Sequence, residues 1–220
     1  RSLVKCMISS SQKVRIKVCG ITNVGDALMA VDAGADAIGL VFYKPSPRFV
    51  SVIEATAIAQ AVGPFVTVVG LFVDASREEV EDALRKVDLH VLQFHGNETE
   101  AYCRQFNRPY MKAIRMKPEL DIKALLKSYT SATAILLDAY QKGVPGGTGA
   151  TFDWQRVPKF KQRSAQPVIV LAGGLTPSNV RQAITKTNVY GVDVSGGVEE
   201  SPGKKSTQLV TDFILAAKCY

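Results

Sequence analysis

Lys17 and Cys19 stand two residues apart in Val14-Arg-Ile-Lys-Val-Cys19, a run whose β-branched residues predict a strand. Side chains two apart share a strand face at about 6.6 Å, and an ammonium that near favours the thiolate, the form of sulfur that accepts a proton. Gln93 and His95 share a face in the same way, opposite Leu92 and Phe94. Asp138 closes another apolar run, and Asp193 lies in a fourth. A thiol, an imidazole and two carboxyls suit proton transfer, provided their surroundings push an acid and a base in opposite directions at one pH. Each has a plainer reading. A strand cysteine is commonly a small buried hydrophobe, a terminal Asp can cap the following loop, and a His beside glycine can be purely structural.

A second set suits anions. Gly173 and Gly174 precede Thr176-Pro177, the expected opening of a helix, and Ser195, Gly196 and Gly197 follow another apolar run. Glycines let backbone N–H groups approach phosphate oxygens closely at a helix N-terminus; ordinary turn glycine is the alternative. In Tyr43-Lys-Pro-Ser-Pro-Arg48, two prolines stiffen a loop that carries a guanidinium able to fork onto a carboxylate, or else onto a surface acid. The segment 143–149 is Gly-rich and reads as a flap over the site or as a plain flexible connection. No metal site is expected. Cys6, Cys19, Cys103 and Cys219 form no Cys-x-x-Cys pair, and His90 and His95 make no zinc motif. Scattered cysteines indicate free thiols in a reducing cytoplasm.

Elements must hold these groups together. Strand-like runs occur at 14–19, 37–42, 65–73, 89–94, 110–115, 134–138, 168–172 and 190–194. Helical spacing fills 23–33, 52–62, 77–86, 99–106, 119–128, 153–162, 177–186 and 204–218. Ser51-x-x-Glu54 and Ser76-x-x-Glu79 are capping boxes, and Thr176-Pro177 supplies an N-cap with Pro behind it. Eight strand–helix units with short connections predict parallel strands closed into a single-domain (β/α)8 TIM barrel over 14–220, with working residues at the strand C-termini. A doubly wound open sheet is the alternative, without dinucleotide binding, since no Gly-x-Gly-x-x-Gly follows the first strand. Residues 1–13 are a polar, Ser-rich lead, read as disordered or added sequence; it opens on Arg, and Met7 is a possible start.

Composition narrows the class. The chain has 220 residues, 46% hydrophobic and 21% charged, which suits one soluble domain with a proper core. No apolar run approaches the roughly 18 residues of a membrane span. The net charge of +7 is spread along the chain, its densest cluster being the five residues from Lys159 to Arg163, so a small anionic substrate is expected rather than nucleic acid.

The ordered motifs carry a family resemblance. Lys17-Val-Cys-Gly-Ile-Thr22, Gly39-Leu-Val-Phe with Ser46-Pro-Arg48, Leu92-Gln-Phe-His-Gly96, Leu137-Asp138, Gly146-Gly-Thr-Gly149 with Phe152-Asp-Trp154, Leu171-Ala-Gly-Gly-Leu175, and Val192-Asp-Val-Ser195 with Gly197-Val-Glu199 together resemble the phosphoribosylanthranilate isomerases of tryptophan biosynthesis. Phe94 and Gly196 depart from the residues common there, Leu and Ser. The resemblance implies an Amadori rearrangement of N-(5-phosphoribosyl)anthranilate to 1-(2-carboxyphenylamino)-1-deoxyribulose 5-phosphate, with no metal or organic cofactor. It implies Asp138 as the general acid at the furanose oxygen, Cys19 as the base at C2′ and Arg48 on the anthranilate carboxylate. Gln93, His95 and Asp193 are then expected at the substrate, and Gly173, Gly174, Ser195 and Gly196 at its phosphate, in a monomer or homodimer. The rivals are another phosphate-binding barrel, such as indole-glycerol-phosphate synthase or a pentose-phosphate epimerase, and a non-catalytic module for phosphate or nucleic acid.

Overall fold

The computed structural model describes residues 14–139, 153–158 and 167–218. Eight parallel strands close on themselves in chain order: β1 (Arg15–Cys19), β2 (Ala37–Val41), β3 (Thr67–Phe72), β4 (Val91–Phe94), β5 (Tyr110–Met116), β6 (Ala134–Ala139), β7 (Val168–Leu171) and β8 (Gly191–Val194). Closure is explicit in the register of β1 on β8, where Ile16 pairs with Val192 and Val18 with Val194. The fold is therefore the TIM barrel, not the open sheet. Residues 1–13, the glycine-rich segment 143–149, the Lys159–Arg163 cluster and Cys219 lie outside the described residues.

Strand alternation divides the core into two layers. Ile16, Val18, Phe94, Tyr110 and Leu137 point outward and pack beneath the helices. Val69, Met111, Ala113, Leu136 and Val170 fill the barrel interior. Around the barrel run α1 (Val24–Ala33), α2 (Val52–Ala61), α3 (Arg77–Lys86), α4 (Glu100–Arg104), α5 (Ile122–Ser128), α6 (Val180–Thr187) and α7 (Thr207–Lys218). Both capping boxes form: Ser51 and Ser76 accept from the backbone N–H of Glu54 and Glu79, whose carboxylates bond back. None of the helices among the described residues is long and apolar enough to cross a membrane.

Three elements differ from expectation. The helix expected over 153–162 is a 3₁₀ turn at Trp154–Arg156 among the described residues, and Val157 has already left helical geometry. Pro158 explains this, because proline disfavours a helical residue before it and supplies no N–H. The helix after β7 begins at Val180, and Thr176-Pro177 opens a turn instead, with the Thr176 carbonyl accepting from Asn179 and Val180. The stretch before α7 holds an antiparallel pair, β9 (Glu199–Ser201) and β10 (Lys204–Lys205). Its strands are too short for period-two patterning to register in sequence. The pair matters, because it carries Glu199 and Lys205 to the barrel mouth.

Candidate active site

A cavity of about 470 Å³ opens at the C-terminal ends of the strands. Cys19, Arg48, Gln93, His95, Asp138 and Asp193 all line it. So do Gly173, Gly174, Ser195 and Gly196 on its far rim. Every site residue read from the sequence thus reaches one mouth, as strand alternation at the ends of β1, β4, β6 and β8 requires.

The thiol end differs from the simple expectation. Lys17 Nζ donates to Asp193 Oδ1 at 2.8 Å, and both side chains are buried. Burial works against the Lys17 charge, yet Asp193, with Cys19, holds its pKa above the ordinary value. Burial likewise pushes the Cys19 thiol up; Lys17 draws it down, and Asp193 pushes it up again. Cys19 is therefore not a ready thiolate. Lys17 moderates its proton affinity without overcoming burial, because Asp193 takes the ammonium first. Asp193 is thus bound to Lys17, yet burial pushes its own carboxyl up against the pull of Lys17, and Asp138 adds to that as a like-charged neighbour across the mouth. Gly39 makes the cluster possible: a Cβ there would stand 2.6 Å from Cys19 Sγ and 3.0 Å from Lys17 Nζ.

Asp138, the penultimate residue of β6, stands on the opposite wall. His95 Nε2 lies 3.1 Å from Asp138 Oδ2, and Gln93 Nε2 lies 3.1 Å from His95 Nδ1. A Gln93 amide nitrogen against Nδ1 fits the tautomer with the imidazole proton on Nε2, facing the Asp138 carboxyl, and leaves Gln93 Oε1 buried without a partner among the described residues. His95 thus faces Asp138 directly. Gly173, at φ +79°, adopts a backbone conformation disfavoured for other residues, and a Cβ there would come 2.7 Å from Asp138 Oδ1.

Arg48 reaches the mouth from the loop after β2, but its fork is occupied. Nε and Nη2 donate to the two Glu199 oxygens at 2.8 and 2.7 Å, leaving the Nη1 edge for a ligand. Glu199 Oε1 also accepts from Lys205 Nζ at 2.7 Å. Burial opposes the Glu199 charge, yet Arg48 and Lys205 together hold its carboxyl below the usual range. At the phosphate end, Ser195 Oγ is buried with no partner among the described residues, and the N–H groups of Gly173 and Gly174 donate to none of them.

Sequence reasoning missed two groups. The first is the support of His95: Lys112 Nζ donates to Gly96 O at 2.7 Å, Glu98 Oε2 at 2.8 Å and Phe94 O at 3.2 Å. Glu98 in turn accepts from the N–H groups of Gly96 and Asp74, which ties the loops after β3 and β4 together. Lys112 faces outward, so no mouth-facing alternation could point to it. The second is Arg115, at the end of β5 and on the cavity wall. Its alternation with Met111 and Ala113 was the available signal. Among the described residues, no group of three or more His, Cys, Asp or Glu side chains is placed to hold a metal.

Residues 16–216 match the family model of N-(5′-phosphoribosyl)anthranilate (PRA) isomerase. The chain belongs to this isomerase family. An N-(5′-phosphoribosyl)anthranilate isomerase of Cellvibrio japonicus is 60% identical over 206 residues, 94% of either chain. The phosphoribosylanthranilate isomerase crystal structure from Thermotoga maritima superposes with a TM-score of 0.83 at 40% identity, over 93% of this chain and 98% of that one. A second structure, a phosphoribosylanthranilate isomerase in complex with reduced 1-(o-carboxyphenylamino)-1-deoxyribulose 5-phosphate, has a TM-score of 0.81 at 40% identity with the same coverage. A third, described as monomers generated from the dimeric Thermotoga maritima isomerase, has a TM-score of 0.80 at 39% identity and again covers 93% and 98%. As a member of this family, the chain catalyses the aldose–ketose isomerisation of N-(5-phosphoribosyl)anthranilate in tryptophan biosynthesis.

Proposed function

We propose that Asp138 and Cys19 perform this isomerisation as acid and base on opposite walls of one mouth. The observation that carries the reading is that both line the same cavity, three strands apart around the barrel in one direction and five in the other. Asp138 protonates the furanose ring oxygen, the C1′–O bond breaks, and the anthranilate nitrogen stabilises the cation as an iminium. Cys19, as thiolate, removes the C2′ proton to give the enolamine. The thiol returns that proton at C1′ while the 2′-hydroxyl proton goes back to Asp138, so the ketone forms and both groups are reset.

The other residues fit supporting tasks. His95, held by Gln93, orients the Asp138 carboxyl; Lys17 with Asp193 sets the proton affinity of Cys19. The Arg48 Nη1 edge takes the anthranilate carboxylate, against an apolar wall of Val41 and Leu71 with Tyr43 and Val73 packed on them. The rim of Gly173, Gly174, Ser195 and Gly196 takes the phosphate through backbone N–H groups and a serine hydroxyl with no partner among the described residues. The reading is tested by the loss of phosphoribosylanthranilate fluorescence on adding purified protein. Cys19→Ser and Asp138→Asn are expected to abolish most of that signal with substrate affinity kept, and near-normal turnover in both removes the assignment.

The assembly we propose is a homodimer. Phe65, in the connection between α2 and β3, is 98% exposed at the other end of the barrel. Beside it lies a cavity of about 660 Å³ lined by Gly63, Pro64, Leu89, His90, Arg108 and Pro109. A ring and a cavity on one face suit a two-fold contact in which each copy fills the other. Sedimentation should give twice the chain mass, and Phe65→Glu should halve it. The buried free thiols Cys19 and Cys103 support a cytoplasmic setting, which fractionation of the host cell tests.

A further inference from the structure

Arg115 is the penultimate residue of β5, with its side chain on the inward face in line with Met111 and Ala113 of the barrel interior. Its Cα is the ladder partner of Asp138, and it lines the same cavity. All 20 acidic residues of the chain are among the described ones. None of them forms an ion pair with Arg115. It is a cation at the mouth with no ion-pair partner among the described residues, set beside the proposed acid.

Arg48 is the opposite case, because its charge already faces Glu199 through two hydrogen bonds. The apolar wall of Val41 and Leu71 on β2 and β3 lies between the two guanidiniums in strand order, with Arg48 folded toward β1 and β8 and Arg115 on β5. The substrate has two anions, and the rim after β7 and β8 accounts for the phosphate. Bringing the other, a carboxylate, out of water is costly unless a cation meets it, and a guanidinium does so with directed N–H donors.

We infer that Arg115 is a second substrate-binding guanidinium, gripping the anthranilate carboxylate jointly with Arg48. The inference rests on the reading that places the ribose between Cys19 and Asp138. It makes Arg115 a residue for binding and specificity, and leaves the proton transfers to the acid and base.

Calorimetry on the full chain, with two ligands, tests it. One is reduced 1-(o-carboxyphenylamino)-1-deoxyribulose 5-phosphate; the other is the phenylamino counterpart without the carboxyl. Arg115→Met should weaken the first by at least about tenfold and the second by less than about twofold. It should raise KM for phosphoribosylanthranilate with little change in kcat. Arg115→Lys, which keeps the charge without the fork, should recover part of the affinity. Equal losses on both ligands, no loss on either, or a loss confined to competition by inorganic phosphate would each overturn the inference. Circular dichroism of both variants should match the parent, since the side chain is exposed. Failure of the unmodified protein to bind either ligand or to turn over substrate would strike the isomerase reading itself.

Discussion

Lys17 Nζ and Asp193 Oδ1 lie 2.8 Å apart beneath the mouth, with Cys19 as the third member of the cluster. The pair sets how readily the sulfur gives up its proton. Burial and Asp193 raise the Cys19 pKa, and Lys17 lowers it.

Lys17→Met should therefore move the thiol pKa further up. Asp193→Asn should bring it down, because it removes an anion and releases Lys17 to the sulfur. The active form of the base is the thiolate, so kcat/KM should rise with pH through this pKa. That limb should shift to higher pH in Lys17→Met and to lower pH in Asp193→Asn. The pH dependence of thiol alkylation checks both directions; an unmoved thiol in Lys17→Met would remove the lysine from the account.

Asp138→Asn keeps the shape and removes the acidic proton, so kcat should fall by about 10²–10⁴ with KM nearly constant. His95→Asn loses one charge-assisted contact to that carboxyl, about 1.5–3 kcal/mol, and should cost kcat about tenfold to a hundredfold. Steady-state kinetics separate the two. A His95 variant as impaired as Asp138→Asn would give the imidazole a direct share in the chemistry.

Ser195→Ala should act on ligand and protein in opposite senses. The hydroxyl has no partner among the described residues, so its removal should leave the thermal midpoint unchanged or slightly raised. Inhibition by inorganic phosphate should weaken by about tenfold. Competition assays and a melting curve on the same preparation check this, and unchanged inhibition would move the phosphate off this rim.

Lys112→Met should destabilise the barrel by about 3–5 kcal/mol, since it strands the buried Glu98 carboxylate. Adding Glu98→Gln should recover part of the loss, because the unpaired charge goes with it. Denaturant titration of the single and double variants measures both.

The sequence made the barrel readable because strand alternation and helix caps are local signals. The ends of β1, β4, β6 and β8 come within a residue or so of expectation, and those ends carry Cys19, His95, Asp138 and Asp193. What escaped was non-local. That Arg48 is forked by Glu199 depends on a hairpin of very short strands 151 residues further along the chain. That Lys17 serves Asp193 before Cys19 depends on the β1–β8 closure, across 176 residues. The 3₁₀ turn at Trp154–Arg156, where the opening of a longer helix was expected, was local after all, and Pro158 was its signal.

Gly39 and Gly173 leave empty the volumes into which the sulfur and the carboxyl project. One added methyl group at Gly39 would meet the Cys19 sulfur at 2.6 Å and the Lys17 ammonium at 3.0 Å, with the Cys19 Cα of the paired strand at 3.1 Å, so the reacting sulfur is the first thing to give way. The architecture thus separates being made from being useful. A library screened for expression and one screened for growth without tryptophan should agree over most of the barrel and part company at position 39.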